Sequence, residues 1–197
     1  MGSRLASTLC VMFLIASGAS FRALGKPAIS RQDSTALPSP AAVVKPQAFV
    51  SLEPVARGKE FQVAVVVEIA QGFHMNSHKP SEAYLIPTTL TAQLPTGLQP
   101  LETIYPAGRL EKFSFSPNKP LDVYTGKVTL RLRLAAAADA ALGATTVPIT
   151  LRYQACNDTT CLQPVKVPVE VEFEVAAAGA KSRTIHTEIF SAGNPSH

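Results

Sequence analysis

The sequence predicts an all-β protein built as an antiparallel β-sandwich, on three observations. Its 197 residues include 16 prolines and no tryptophan, a composition that interrupts helices and suits strands joined by proline-marked turns. Across the middle of the chain, apolar runs of strand length alternate with turn-forming residues. No stretch shows the strand–helix–strand rhythm that a parallel sheet requires.

The ends of the chain stand apart from this pattern. Arg4 precedes an apolar run from Leu5 to Ala16, and small residues follow at Ala16-Ser17-Gly18-Ala19-Ser20 and again at Ala23-Leu24-Gly25. That order predicts a cleaved signal peptide over 1–25, the run being too short to span a bilayer comfortably. Residues 26–45 are rich in Pro, Ser and Ala and are expected to form a disordered linker. The folded domain is expected over 46–176, with a disordered tail over 177–197.

Within the domain, Phe61 to Ile69 (FQVAVVVEI) is dense in β-branched residues and predicts a buried strand. Leu85 to Leu94 (LIPTTLTAQL) predicts another, with Pro87 at a sheet edge. In Lys127 to Leu134, the residues Val128, Leu130, Leu132 and Leu134 share one face, leaving Lys127, Thr129, Arg131 and Arg133 for a wet one. Val147 to Tyr153 and Val165 to Val175 are two further strands, the second alternating valine or phenylalanine with Lys166, Glu170, Glu172 and Glu174. The only helix-friendly stretch is Ala135 to Leu142. About seven strands in this space make a sandwich.

Charge narrows the function little. The formal net charge of +4 counts Arg4 and Arg22, both of which are expected to leave with the signal under the later cut. The remaining basic residues are scattered, so no nucleic-acid partner is expected. GxSxG and HExxH are both absent, which argues against the common hydrolases. No second run is long enough to cross a membrane, so the exported protein is expected to be soluble.

Cys10 leaves with the signal, and Cys156 and Cys161 become the cysteines of the mature chain. Export implies an oxidising compartment in which such a pair can form a disulfide. The four residues between them, Asn157-Asp158-Thr159-Thr160, are turn formers. A bridge over so short a loop stabilises by only about 2 kcal/mol in the chain-entropy model. Spacing alone therefore leaves a redox-active pair and a structural staple both open. A third possibility is a soft metal such as Cu(I), held by the cysteines with His74, Met75 or His78.

The run YQACNDTTCLQPVKVPVEV resembles the cysteine-bearing hairpin of the amino-terminal periplasmic domain of the thiol:disulfide interchange protein DsbD. The stretch GFHMNSHKPSEAYLIPTTL and the segment from Phe113 through Tyr124 to Gly126-Lys127-Val128 agree with it, so the resemblance spans about Phe49 to Val175. It implies an immunoglobulin-like fold and a protein-disulfide-reductase type of electron relay, without a cofactor or bound metal. Cys156 and Cys161 would be the redox pair, with Cys161 forming the mixed disulfide and Cys156 resolving it.

The resemblance also implies an aromatic cap loop at Glu111-Lys112-Phe113-Ser114-Phe115, with Phe113 the lid and Phe115 its reserve. Its partners would be exported, thioredoxin-like or other disulfide-exchange proteins in the periplasm or an equivalent compartment. The loop between the cysteines is one residue shorter than in the best-known members. Tyrosines beside the pair are replaced by His74 and Asn76, which would line the site. No membrane channel or thioredoxin-like domain accompanies the module, so a separate membrane electron donor is expected. The rival readings are a non-redox binding sandwich with a structural disulfide, and the copper protein.

Overall fold

The two-residue periods of the sequence become strands with one buried and one exposed face. The computed structural model describes residues 37–191, so the expected signal peptide and the linker up to residue 36 lie outside the described residues. After a 3-10 turn at Pro40–Ala42 come β1 (Val44–Val50), β2 (Leu52–Glu53), β3 (Val55–Ala56), β4 (Glu60–Ile69) and β5 (His74–Asn76). β6 (Thr89–Ala92), β7 (Leu98–Ile104), β8 (Arg109–Phe113) and β9 (Ser116–Tyr124) follow. The second half holds β10 (Lys127–Ala136), β11 (Gly143–Tyr153), β12 (Ala155–Cys156) and β13 (Val165–Ala176). A short strand β14 (Arg183–Thr184) and a helical turn α1 (Thr187–Ser191) complete the described chain.

Two four-stranded sheets make the sandwich. One runs β1-β4-β10-β7, all antiparallel, and the other β3-β13-β11-β6, antiparallel except for a two-residue parallel contact of β3 with β13. Val63, Val65 and Val67 of β4 and Leu130, Leu132 and Leu134 of β10 meet Val147, Ile149 and Leu151 of β11 and Val171, Phe173 and Val175 of β13 in one core cluster. Phe61 and Phe173 close the layers edge to face, with ring centroids 5.1 Å apart. Each such aliphatic burial contributes about 1.5–3 kcal/mol, so the alternation seen in the sequence is the main source of stability. This is the all-β, immunoglobulin-like sandwich expected.

Two prolines sit on outer strands, where a missing N–H does least harm. Pro46 lies on the outer strand β1, and Pro100 lies on outer β7 where its register against β10 shifts between Arg133 and Leu134. A third sheet, β12-β5-β9-β8, extends from one end of the sandwich and carries the cysteine hairpin.

Four local expectations meet a different structure. The predicted strand at Leu85 to Leu94 is confined to β6, because the backbone before it is drawn to Asn76: the Ile86 carbonyl accepts from Asn76 Nδ2 at 3.0 Å, and Thr88 Oγ1 donates to the Asn76 carbonyl at 2.6 Å. The helix-friendly alanines begin as strand, since Ala135 pairs with Glu60 on one side and Gln99 on the other. The ordered fold starts before residue 46, with Val43 and Val44 in the core and the Tyr153 hydroxyl donating to the Pro40 carbonyl at 2.6 Å.

The fourth concerns the tail. Residues 177–191, expected to be disordered, are tied down: β14 pairs with β2, and Ile185 N–H donates to the Ser51 carbonyl at 3.0 Å. They also cover part of the face of β10 predicted to be wet. Arg131 there is 7 % exposed, and its guanidinium donates to the Ile189 carbonyl at 3.0 Å.

Candidate functional site

The site begins with a tight turn. At the end of β11 the chain passes through Gln154 into β12, turns at Asn157-Asp158-Thr159-Thr160 and comes back through Cys161 and Leu162. The Asn157 side-chain carbonyl organises the turn, accepting from the backbone N–H of Thr159 at 3.0 Å and of Thr160 at 2.8 Å and from the Thr159 hydroxyl at 3.0 Å. This is the local bonding that makes asparagine a turn former. Two backbone bonds close it: Asn157 N–H to Thr160 O at 2.9 Å and Leu162 N–H to Ala155 O at 2.8 Å.

These bonds set Cys156 and Cys161 opposite one another as an isolated bridge, with Cα atoms 4.0 Å apart and the sulfurs joined in a disulfide. The two cysteines differ sharply in surroundings. Cys156 is 1 % exposed, whereas Cys161 is exposed.

β5 flanks the hairpin and brings the expected lining residues with it. Met75 pairs with Ala155, and His74 pairs with Cys156. His74 is 3 % exposed and Asn76 fully buried. Burial holds the His74 imidazole well below its ordinary 6.5, at about 4, against a smaller opposing pull from Asp158 in the turn. The ring is therefore neutral near pH 7, and its Nε2 is buried with no hydrogen-bond partner among the described residues.

The cap region is the tip of the β8–β9 hairpin. Phe113 is 8 % exposed and stacks on His74, centroids 4.0 Å apart with the planes at 22°. Phe115 is 43 % exposed and stacks outside Phe113 at 5.4 Å. Between them, the Ser114 hydroxyl donates to the Asp158 carbonyl at 2.6 Å. The tip of the β8–β9 hairpin is thus fastened to the loop that separates the cysteines. Cys156, Cys161, His74, Phe113 and Phe115 form one contiguous assembly.

Asn76 has a supporting place in it. Its Nδ2 donates to Gln154 Oε1 at 3.3 Å as well as to the Ile86 carbonyl. Gln154, which sequence reasoning passed over, also accepts from Ile86 N–H at 3.4 Å and donates through Nε2 to the Leu162 carbonyl at 3.3 Å. It clamps both legs of the hairpin to the 77–88 loop. Ser114 and Asp158 were missed in the same way, and their only signal was position, within the cap and within the cysteine loop.

The copper-binding alternative gathers its residues less well. His78 turns to the other side of β5, where its Nδ1–H donates to the Thr88 carbonyl at 3.1 Å and its ring stacks on Tyr105 at 3.6 Å. It lines a cleft of about 500 Å³ with Lys79, Tyr105, Asp122 and Tyr124, a lining that includes neither cysteine. Among the described residues no group of three or more His, Cys, Asp or Glu is disposed to hold a metal ion. None of the described helices is long and apolar enough to cross a membrane.

The family comparison points the same way as the hairpin. Residues 40–173 match the family model described as thiol:disulfide interchange protein DsbD, N-terminal. Among solved structures, the DsbD n-terminal domain of Neisseria meningitidis in the reduced form matches with 19% identity and a TM-score of 0.42, over 75% of this chain and 94% of that one. No curated protein sequence matches the chain.

Proposed function

The chain belongs to the family of thiol:disulfide interchange protein DsbD amino-terminal domains, and on that premise we propose that it relays reducing equivalents between exported redox proteins through Cys156 and Cys161. The observation that carries this reading is the asymmetry of the pair, Cys161 exposed and Cys156 buried, beside an aromatic hairpin tip that stacks on His74. Disulfide exchange needs one accessible sulfur to meet a partner and a second, shielded one to finish the reaction. A staple has no use for either the asymmetry or the lid.

In the reduced chain the Cys161 thiolate attacks one sulfur of a partner disulfide. A Cys161–partner bond forms, the partner's own S–S bond breaks, and the displaced sulfur leaves as a thiolate that takes up a proton. Cys156 then loses its proton and attacks Cys161 Sγ, re-forming the Cys156–Cys161 bond and releasing the second partner sulfur as a thiolate. Two electrons pass to the partner, and a separate donor dithiol restores the reduced pair by the same steps in reverse. The Phe113 lid keeps small oxidants and thiols from the pair until a docking protein displaces it. The partners are thioredoxin-like or other disulfide-exchange proteins, the donor is a membrane protein, and the compartment is the periplasm or its equivalent.

The test is the reduction potential of the purified exported chain, found by equilibration in thiol buffers. The expected value lies above the range of about −300 mV and below that marks structural disulfides. A value inside that range would favour the rival reading, a binding sandwich with an inert disulfide.

A further inference from the structure

His74 has a buried ring nitrogen, Nε2, with no hydrogen-bond partner among the described residues. It stands directly across from Cys156 in the β5–β12 pairing, which places the two side chains on one face of the sheet as nearest cross-strand neighbours. Phe113 stacks on its ring, centroids 4.0 Å apart, and Asp158 of the cysteine turn is near enough to act on it electrostatically. The residue is 97 % buried, yet Nε2 has no partner among the described residues while the cysteines are joined. An unpaired buried polar atom is costly, and native folds retain one where another state of the protein satisfies it or function demands it.

Reduction of the disulfide supplies what is missing. It breaks the Cys156–Cys161 bond and, with two electrons and two protons from a donor dithiol, leaves a thiol on each sulfur. Cys156 then carries an S–H donor in the same buried space. We propose that Nε2 of His74 accepts the Cys156 thiol proton in the reduced chain, so that this histidine biases the pair towards the dithiol. The imidazole, kept neutral by its surroundings, carries its own proton on Nδ1 and offers the Nε2 lone pair. The inference rests on the exchange reading above and names His74 as the residue that sets the poise of that same pair. A disulfide that is easier to reduce takes electrons from its donor more readily, and its dithiol is a correspondingly milder reductant towards the acceptor.

The experiment equilibrates the full exported chain and its His74→Phe and His74→Gln variants with glutathione buffers and measures the dithiol fraction. Phenylalanine keeps a ring against Phe113 but has no acceptor, whereas glutamine keeps an acceptor. His74→Phe is expected to shift the equilibrium at least about threefold towards the disulfide, about 14 mV more negative for a two-electron couple. His74→Gln is expected to return at least half of that shift. A Phe variant that equals the parent, or a Gln variant that moves with it, overturns the proposal.

Should the variants fail to fold, 15N-labelled histidine in the parent chain gives the answer. The Nε2 resonance of His74 is expected to move on reduction in the direction of an accepted hydrogen bond, and a resonance indifferent to reduction overturns the idea. A parent chain that shows no exchange at all refutes the relay reading instead, so the two failures are distinct.

Discussion

The Ser114 hydroxyl donates a 2.6 Å hydrogen bond to the Asp158 carbonyl, fastening the tip of the β8–β9 hairpin to the turn between the two cysteines. The link is exposed, so its net contribution is at the low end of the usual range, about 0.5–1 kcal/mol. It is also the only hydrogen bond described between cap and turn.

Loosening the cap should therefore make the disulfide more reactive without unfolding the sandwich. Ser114→Ala is expected to speed reduction by a small dithiol roughly two- to fivefold, the kinetic equivalent of losing about 0.5–1 kcal/mol from the closed state. Phe113→Ala, which also removes the stack on His74, should speed it more than tenfold. Stopped-flow rates with dithiothreitol measure both, and equal rates in parent and variants would mean that the cap does not shield the pair.

Acid should act through His74. Its folded value of about 4 lies below the ordinary 6.5, so as the pH falls the unfolded chain takes up the proton first. Stability is full above pH 6.5, declines as the pH drops from 6.5 to 4 and levels off below, losing up to about 3 kcal/mol from this residue. Urea unfolding of the oxidised chain should show this slope, and His74→Phe should lack that part of it. Parallel pH profiles in the two proteins would contradict the assignment.

One glycine fixes a loop contact at the edge of the sandwich. Gly97 has φ +85°, and a Cβ there would lie 2.3 Å from the Ala140 Cα, a backbone atom with little freedom to yield. Gly97→Ala should cost about 2–3 kcal/mol through backbone strain, read as a lowered urea midpoint with unchanged slope. A loss below about 0.5 kcal/mol would mean that the loop repacks freely.

The tail gives a prediction that the sequence alone would not make. Ending the chain after Ser182 removes β14, the Ile185–Ser51 hydrogen bond and the cover over Arg131. The expected loss is about 1–3 kcal/mol, a few buried hydrogen bonds and one partly buried isoleucine. Unchanged thermal unfolding of the truncated chain would show that the tail contributes nothing.

The sandwich was legible because its signal is repeated: apolar and polar residues alternate over Lys127 to Leu134 of β10 and along most of β13, and no local feature competes with that period. The cysteine turn was legible from Asn157, whose side chain performs the bonding its type predicts. The parts that were hidden depend on tertiary contacts. Thr88 and Ile86 look like strand until Asn76 draws their backbone away from the sheet. The tail after Ala176 opens with AAAGAKS, which has no period, and only Ile185 and the β2 edge give it a place. The family resemblance pointed to Phe113 and Phe115, while the Phe113–His74 stack and the Gln154 clamp had no signature in residue spacing.

A redox-active pair with Cys161 as the exchanging sulfur should trap a partner through that residue. The most direct measurement incubates the reduced Cys156→Ala and Cys161→Ala variants with a thioredoxin-fold protein whose active-site pair is oxidised, and follows the products by mass spectrometry under non-reducing conditions. A one-to-one mixed disulfide through Cys161 is expected in Cys156→Ala, and little or none in Cys161→Ala because Cys156 is buried. Equal trapping by both variants, or by neither, would contradict it.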